Sequence, residues 1–331
     1  MKDFFIHISG MFSGINIQVK ALVASFVFTI ILGFIIIPIL KKLKIGQTIR
    51  NDGPQSHLKK MGTPTMGGIM MVISIAVFSF VVSLKYPSLI PITLVTLGFG
   101  LVGFIDDFKK LVYKDTKGLS PKLKMIFLFV ISIVCALYLV FSSFGTDTYV
   151  PFMKGYVILN PILYVLFVVF VMLACANSLN LTDGLDGLAA GVNSIIMIFF
   201  IFVGMAWGSK DMSTFSAIVT GASIGFLFFN MYPAKVIMGD TGSLALGGAF
   251  CSVAIMLKMP LILIVTAGIC VIEALSVILQ VSYFTITKGK RLFKMAPFHH
   301  HLELSGMKET VIVPLFWSIT AILCVLAFYI I

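Results

Sequence analysis

Charge is what this sequence has least of. Asp, Glu, Lys and Arg together make up 11% of its 331 residues, where a soluble globular protein carries roughly 25%. A chain that must present a charged surface to water cannot be built from so few charges, whereas a chain surrounded by lipid can. Cysteine is also scarce. Cys135, Cys175, Cys251, Cys270 and Cys324 all lie inside apolar runs, and none has C-x-x-C spacing. They read as packing residues, without a disulfide framework or a zinc site. No GxxxxGK[ST] phosphate loop occurs, which speaks against ATP-driven transport, and no HExxH, which speaks against a zincin-type intramembrane protease.

What is present is apolar: 59% of the residues are hydrophobic. A membrane helix needs ~20 apolar residues, and ten runs qualify: about 19–40, 67–84, 88–105, 122–144, 157–178, 187–207, 213–232, 241–257, 260–284 and 310–331. Only Lys258 and Pro260 separate the eighth from the ninth, so nine or ten is the defensible range. The first run exceeds a signal-peptide core of roughly 7–15 residues and ends in Lys41, Lys42 and Lys44, so it reads as a first membrane helix. The expected fold is all-α: a polytopic integral membrane protein with about ten transmembrane helices, forming a single membrane-embedded domain over residues 1–331.

The formal charge is +11. The basic residues sit in short loops between apolar runs, so anionic lipid headgroups and an anionic substrate are better partners than nucleic acid. The odd-numbered loops hold Lys41, Lys42, Lys44, Arg50, Lys59 and Lys60, then Lys109, Lys110, Lys114, Lys117, Lys122 and Lys124, then Lys235, and then Lys288, Lys290, Arg291, Lys294 and Lys308. The even loops and the leading tail hold only Lys2, Lys20, Lys85, Lys154, Lys210 and Lys258. The bias puts the odd loops in the cytoplasm and both termini outside. Asp52, Asp106, Asp107, Asp115, Asp183, Asp186, Asp240, Glu303 and Glu309 then share the cytoplasmic face, while Asp3, Asp147 and Asp211 lie outside. The bias rule says little about acids. So many on one face suggest an active site with a metal, the alternative being that they balance nearby lysines.

Four segments carry the chemistry. Asp106-Asp107 closes a membrane run and precedes Lys109-Lys110. It reads as an interfacial stop, or as adjacent acids whose repulsion a divalent cation or a lysine relieves. Asn177 to Ala189 joins two spans without Lys or Arg, and is dense in Asn177, Asn180, Thr182, Asp183, Asp186 and glycine. Hard oxygen ligands and close backbone approach suit a binding loop, where a capped turn needs less. Asn230 to Ser243 leads through Gly239-Asp240-Thr241 into an apolar helix, a place for an N-cap or for an anion at a helix N-terminus. Met295 to Glu303 carries His299, His300 and His301 beside Lys288, Lys290, Arg291 and Lys294. Three consecutive histidines cannot face one metal from a regular helix, so an extended or turn segment would suit them better. Gly62-Thr63-Pro64-Thr65-Met66-Gly67-Gly68 is either an anion-holding turn or a flexible lead-in to a helix. Glu273 is a lone acid in a span, where a central charge costs ~2.5–3.5 kcal/mol on insertion scales, so it should be protonated or paired and structural. Gly221-Ala222-Ser223-Ile224-Gly225 is a small-residue helix-packing pattern.

Together these segments, in order from Lys59 to Glu303, resemble the polyprenyl-phosphate N-acetylhexosamine-1-phosphate transferase family. The histidine segment is similar to the branch that takes a muramoyl-pentapeptide donor; a sister branch uses UDP-N-acetylglucosamine. The resemblance implies attack of undecaprenyl phosphate on the β-phosphorus of UDP-N-acetylmuramoyl-pentapeptide at the cytoplasmic face of a bacterial inner membrane, with Mg²⁺ as cofactor and a homodimeric enzyme. On that pattern Asp240 is the metal ligand, with Asp106, Asp107 and Asp183 as the other catalytic acids. Lys60, Thr65, Lys122, Asn177, Asn180, Asp186, Asn230, His299, His300 and His301 meet substrate, with Lys124 a second phosphate-neutralising lysine. A transporter would instead place polar residues near the bilayer midplane, where only Glu273 lies.

Overall fold

The computed structural model describes residues 16–43, 62–112, 118–142 and 144–331. Lys60 lies outside the described residues. The helices in chain order are α1 (Ile17–Lys42), α2 (Gly68–Ser83), α3 (Leu89–Val112), α4 (Pro121–Phe141), α5 (Pro161–Thr182), α6 (Leu188–Ala206), α7 (Lys210–Asn230), α8 (Gly239–Met256), α9 (Leu263–Thr266), α10 (Gly268–Ile286), α11 (Phe298–Leu304) and α12 (Glu309–Ile330). Among them α1, α3, α4, α5, α6, α7, α10 and α12, eight in all, are long and apolar enough to cross a membrane. The chain is therefore an all-α, multi-pass membrane protein.

The other two predicted spans are helical but differ in kind. α2 has 16 residues, about 24 Å at 1.5 Å per residue. α8 is buried at every position from Thr241 to Ile255 and is rich in Gly, Ala and Ser. A helix surrounded by other helices gains more from small residues that allow close approach than from bulk apolar side chains. That is why its sequence is less apolar than its neighbours'. α3 and α5 both pack against it. Outer helices such as α1 and α10 instead turn Phe34, Ile278 and Ile286 outward, as lipid requires.

Local signals fix several helix starts. Ser120 accepts from the Leu123 N–H at 3.3 Å ahead of Pro121, and Asn160 accepts from the Ile162 N–H at 3.0 Å ahead of Pro161. Helix ends depart more from expectation. α3 runs to Val112, about two turns past the predicted end, so Asp106 and Asp107 lie within the helix. α5 runs through Thr182, so Asn177 and Asn180 are helical and the connecting turn is only 183–187. In both helices the polar residues that looked like loop formers find partners inside the bundle. The predicted span 260–284 is broken by a 3-10 turn, Pro260–Ile262, and again at Ala267.

At the end of the bundle away from the acids, β1 (Asp147–Val150) pairs antiparallel with β2 (Gly155–Ile158). Lys258 anchors this hairpin. Its Nζ meets Asp147 Oδ1 at 2.6 Å, and its carbonyl accepts from the Tyr149 N–H at 2.6 Å.

α1 and α7 run parallel in close contact. Gln18 donates to Ser213 Oγ at 2.8 Å, Ser25 donates to the Ile218 carbonyl at 2.8 Å, and Phe34 meets Phe229 edge to face at 5.3 Å. A Cβ on Gly221 would overlap the Leu22 carbonyl, and one on Gly225 would crowd Phe26, as the small-residue pattern predicts. Gly221→Val should therefore lower the thermal midpoint in detergent, at an overpacking cost of about 1–3 kcal/mol. Val81→Leu, on an exposed face of α2, should leave the midpoint where it was.

Candidate active site

The last turns of α3, the first turns of α4 and α8, and the last turn of α5 meet at one end of the bundle. Asp106 and Asp107 are buried there, and Asp240 is half-buried. One carboxylate oxygen from each lies within 4.8 Å of the others. Two like charges about 4 Å apart repel by ~4 kcal/mol at an effective dielectric constant of 20, so the cluster needs cations. Two lysines supply them. Lys110 Nζ is 2.6 Å from Asp106 Oδ2 and 3.2 Å from Asp240 Oδ2, and Lys124 Nζ is 2.9 Å from Asp240 Oδ2. Asn180 completes the shell, donating to Asp240 Oδ1 at 2.9 Å and to Ser243 Oγ at 2.8 Å. α3 and α8 come this close because position 103 is glycine; any Cβ there would overlap the Asp240 carbonyl.

The three acids have different work. Asp107 accepts from the backbone N–H groups of Asp240 at 3.2 Å and Thr241 at 2.9 Å, and from Thr241 Oγ1 at 2.7 Å. It caps the start of α8 from a neighbouring helix. Asp106 Oδ1 accepts from the Leu119 N–H at 2.7 Å and so holds the approach to α4. Asp240 faces lysines and an amide only through its side chain, which leaves it most able to exchange partners. Clustered carboxylate oxygens are the hard donors that a divalent cation of the Mg²⁺ type prefers, so the residues fit such an ion.

Around this centre the other predicted residues fall into groups. Thr65 is beside Gly239, its Oγ1 3.2 Å from where a Cβ would stand. Lys122 is exposed, and it is Lys124, two residues on, that reaches Asp240. Asn177 donates to the Leu173 carbonyl at 2.7 Å and to Met125 Sδ at 3.5 Å, linking α5 to α4. Asp183 is the C-cap of α5, one turn beyond Asn180, and is not one of the three converging acids. Asp186 and Asn230 tie two loops together. Asp186 Oδ2 accepts from the Ala234 N–H at 2.9 Å, and its own N–H donates to Glu309. Asn230 accepts from the Gly187 N–H and donates to the Val236 carbonyl, both at 2.9 Å.

The histidines lie on the short helix α11, not on an extended segment. About 100° of rotation per residue sends them three ways. His299 is fully buried, with its ring against Gly184 and its Nδ1 3.2 Å from Glu273 Oε2. His300 Nδ1 lies 2.8 Å from Glu303 Oε2. His301 stacks on Phe298 and accepts from the Lys294 N–H at 3.2 Å.

Comparison with known proteins gives the family. Glycosyl transferase family 4 matches residues 89–258, the stretch from α3 to the end of α8. A phospho-N-acetylmuramoyl-pentapeptide-transferase of Acetivibrio thermocellus is 49% identical over 95% of this chain and 96% of its own length. One from Clostridium botulinum is 48% identical over 93% and 95%, and one from Halalkalibacterium halodurans 46% over 95% and 97%. The chain belongs to the family of these transferases.

The sequence leaves open whether a divalent cation or a lysine relieves the repulsion of Asp106 and Asp107, and it does not single out Lys110, which stands four residues after Asp106 and three after Asp107. That spacing brings side chains together on a helix, and it would have revealed the pair once α3 was extended.

Asp107 and Asp240 should separate in their effects. Asp107→Ala removes the cap from α8, a loss of about 1 kcal/mol or more. It should lower the thermal midpoint without substrate more than Asp240→Asn does. Unfolding curves of the two variants in the same detergent check this.

Proposed function

We propose that this protein transfers phospho-N-acetylmuramoyl-pentapeptide from its UDP-activated form to undecaprenyl phosphate, giving lipid I and UMP for peptidoglycan synthesis. One observation carries the reading: Asp106, Asp107 and Asp240 converge with Lys110, Lys124 and Asn180, in a chain related nearly end to end to enzymes named for this activity.

An oxygen of the acceptor phosphate forms a bond to the β-phosphorus of the donor. The bond from that phosphorus to the bridging oxygen breaks, and UMP leaves with the oxygen. One phosphoanhydride replaces another, so the step is nearly balanced, and catalysis is chiefly positioning and charge neutralisation. The acceptor phosphate has a second pKa near ~6. Much of it is ionised at neutral pH, and direct attack needs no dedicated base. We therefore favour one step over a covalent intermediate on Asp183.

Lys110 and Lys124 both contact Asp240 Oδ2, so they are placed to turn to diphosphate oxygens when substrate arrives. Asp240 is the chief candidate to hold Mg²⁺, with Asp106 beside it. Bound there, Mg²⁺ would offset the charge of the diphosphate and the departing UMP. Asp107 keeps α8 in place, and Asn180 fixes the Asp240 carboxylate. The 183–187 turn and α11 form the donor side, with His300 and His301 toward the sugar-nucleotide.

The apolar runs support about ten spans, and the lysine bias supports a cytoplasmic active site and both termini outside, in a bacterial cytoplasmic membrane. A homodimer completes the reading. The test is UMP release by purified protein in detergent, with undecaprenyl phosphate and UDP-N-acetylmuramoyl-pentapeptide, with and without Mg²⁺, beside Asp240→Asn. Release should need both the lipid and Mg²⁺ and fall by about 10²-fold or more in the variant. Release without metal, or only from UDP-N-acetylglucosamine, would overturn it.

A further inference from the structure

We propose that Glu273 of α10 is a positioning residue for the donor site: it holds His299, and through it the whole of α11, against the turn that follows Asp183. This rests on the functional reading above for its kinetic consequence.

Glu273 is fully buried within a span. A carboxylate in that position needs an internal partner, and both its oxygens turn to one residue. Oε1 and Oε2 accept from the His299 backbone N–H at 3.3 and 3.4 Å, and Oε2 stands 3.2 Å from His299 Nδ1. On its other side the His299 ring fills the space left by Gly184, where a Cβ would overlap Nε2. Gly184 lies between Asp183 and Asp186. One line of contact therefore runs from α10 through His299 to the turn after α5, and α5 carries Asn180, which holds Asp240.

His299 is shielded from any ligand by this arrangement, whereas His300 and His301 are less buried. The three histidines thus divide: the first is the anchor, and the other two are what the anchor presents. α11 has only 7 residues, too few to hold its place without tertiary contacts. Moving it by about 1 Å would cost the donor its alignment, and misplacement on that scale can reduce rate about a hundredfold. The acceptor lipid phosphate does not need these histidines, so its binding should be spared.

The experiment uses the full chain in detergent with three variants, Glu273→Ala, Glu273→Leu and Glu273→Gln. Leucine fills the volume of the site without a carboxylate, so it separates loss of the acceptor oxygens from loss of packing. Glutamine keeps an oxygen for the His299 N–H. Hydrogen exchange of peptides covering 298–304 is compared with peptides covering 239–256, and kcat and KM are measured for each substrate. The expected result is faster exchange confined to 298–304 in the alanine and leucine variants, kcat/KM for the muramoyl donor down roughly 10- to 100-fold, an unchanged KM for undecaprenyl phosphate, and recovery of most of the loss by glutamine. Unchanged exchange, or a loss spread equally over both substrates with protection lost throughout the bundle, would overturn the inference. If the unmodified protein releases no UMP from the muramoyl donor, the functional reading fails instead, and the exchange comparison still decides whether Glu273 holds α11.

Discussion

Asp240 is bound by three helices besides its own. Lys110 reaches it from α3, Lys124 from α4 and Asn180 from α5. In a chain surrounded by lipid, a buried carboxylate with no partner is far more costly than at a water-facing surface. Removing one partner of a buried charge cluster also leaves the rest uncompensated. The positions of these helix ends are therefore not independent. Whatever fixes Asp240 fixes where α3 and α5 stop and where α4 starts, and the groups that could meet a diphosphate are set by the same contacts that hold the bundle end together.

The central helix α8 gives this end its geometry. It is almost wholly buried, so its first turn is presented from the middle of the protein and not from its rim. Asp107 caps that turn from α3, and Gly103 lets the two backbones meet. A set of acids that looks uniform in sequence thereby separates by task. Asp107 and Asp186 bind backbone, Asp106 is shared between backbone and Lys110, Asp240 is held through side chains, and Glu273 lies in a span as the partner of His299. At the opposite end, one ion pair between Lys258 and Asp147 ties the hairpin to the turn after α8.

The helices were legible because a run of ~20 apolar residues has few uses outside a membrane. Each of the ten predicted runs contains a helix in the structure, although the run 260–284 is broken twice and α2 and α8 lack the length or apolarity of the rest. Helix ends were not legible. Asn177, Asn180, Asp106 and Asp107 look like loop or stop signals, and only tertiary partners show that they are interior helical residues. Lys122 and Lys124 could not be told apart in sequence, because which one faces Asp240 depends on where α4 begins. Glu273 is expected from sequence to be protonated or paired, but the partner that the structure gives it lies 26 residues away, and nothing local indicates it. The histidines, placed three in a row, gave no periodicity from which α11 could be read.

On the proposed reading Asp240, with Asp106 beside it, holds a divalent cation, and Lys110 and Lys124 are freed for substrate oxygens. The most direct test is binding of Mn²⁺ as a paramagnetic stand-in, followed by electron paramagnetic resonance on purified protein, with Mg²⁺ as competitor and Asp240→Asn beside the unmodified chain. The account predicts saturable Mn²⁺ binding that Mg²⁺ displaces and that the variant loses. Equal binding by both proteins, or binding that Mg²⁺ does not displace, would contradict it.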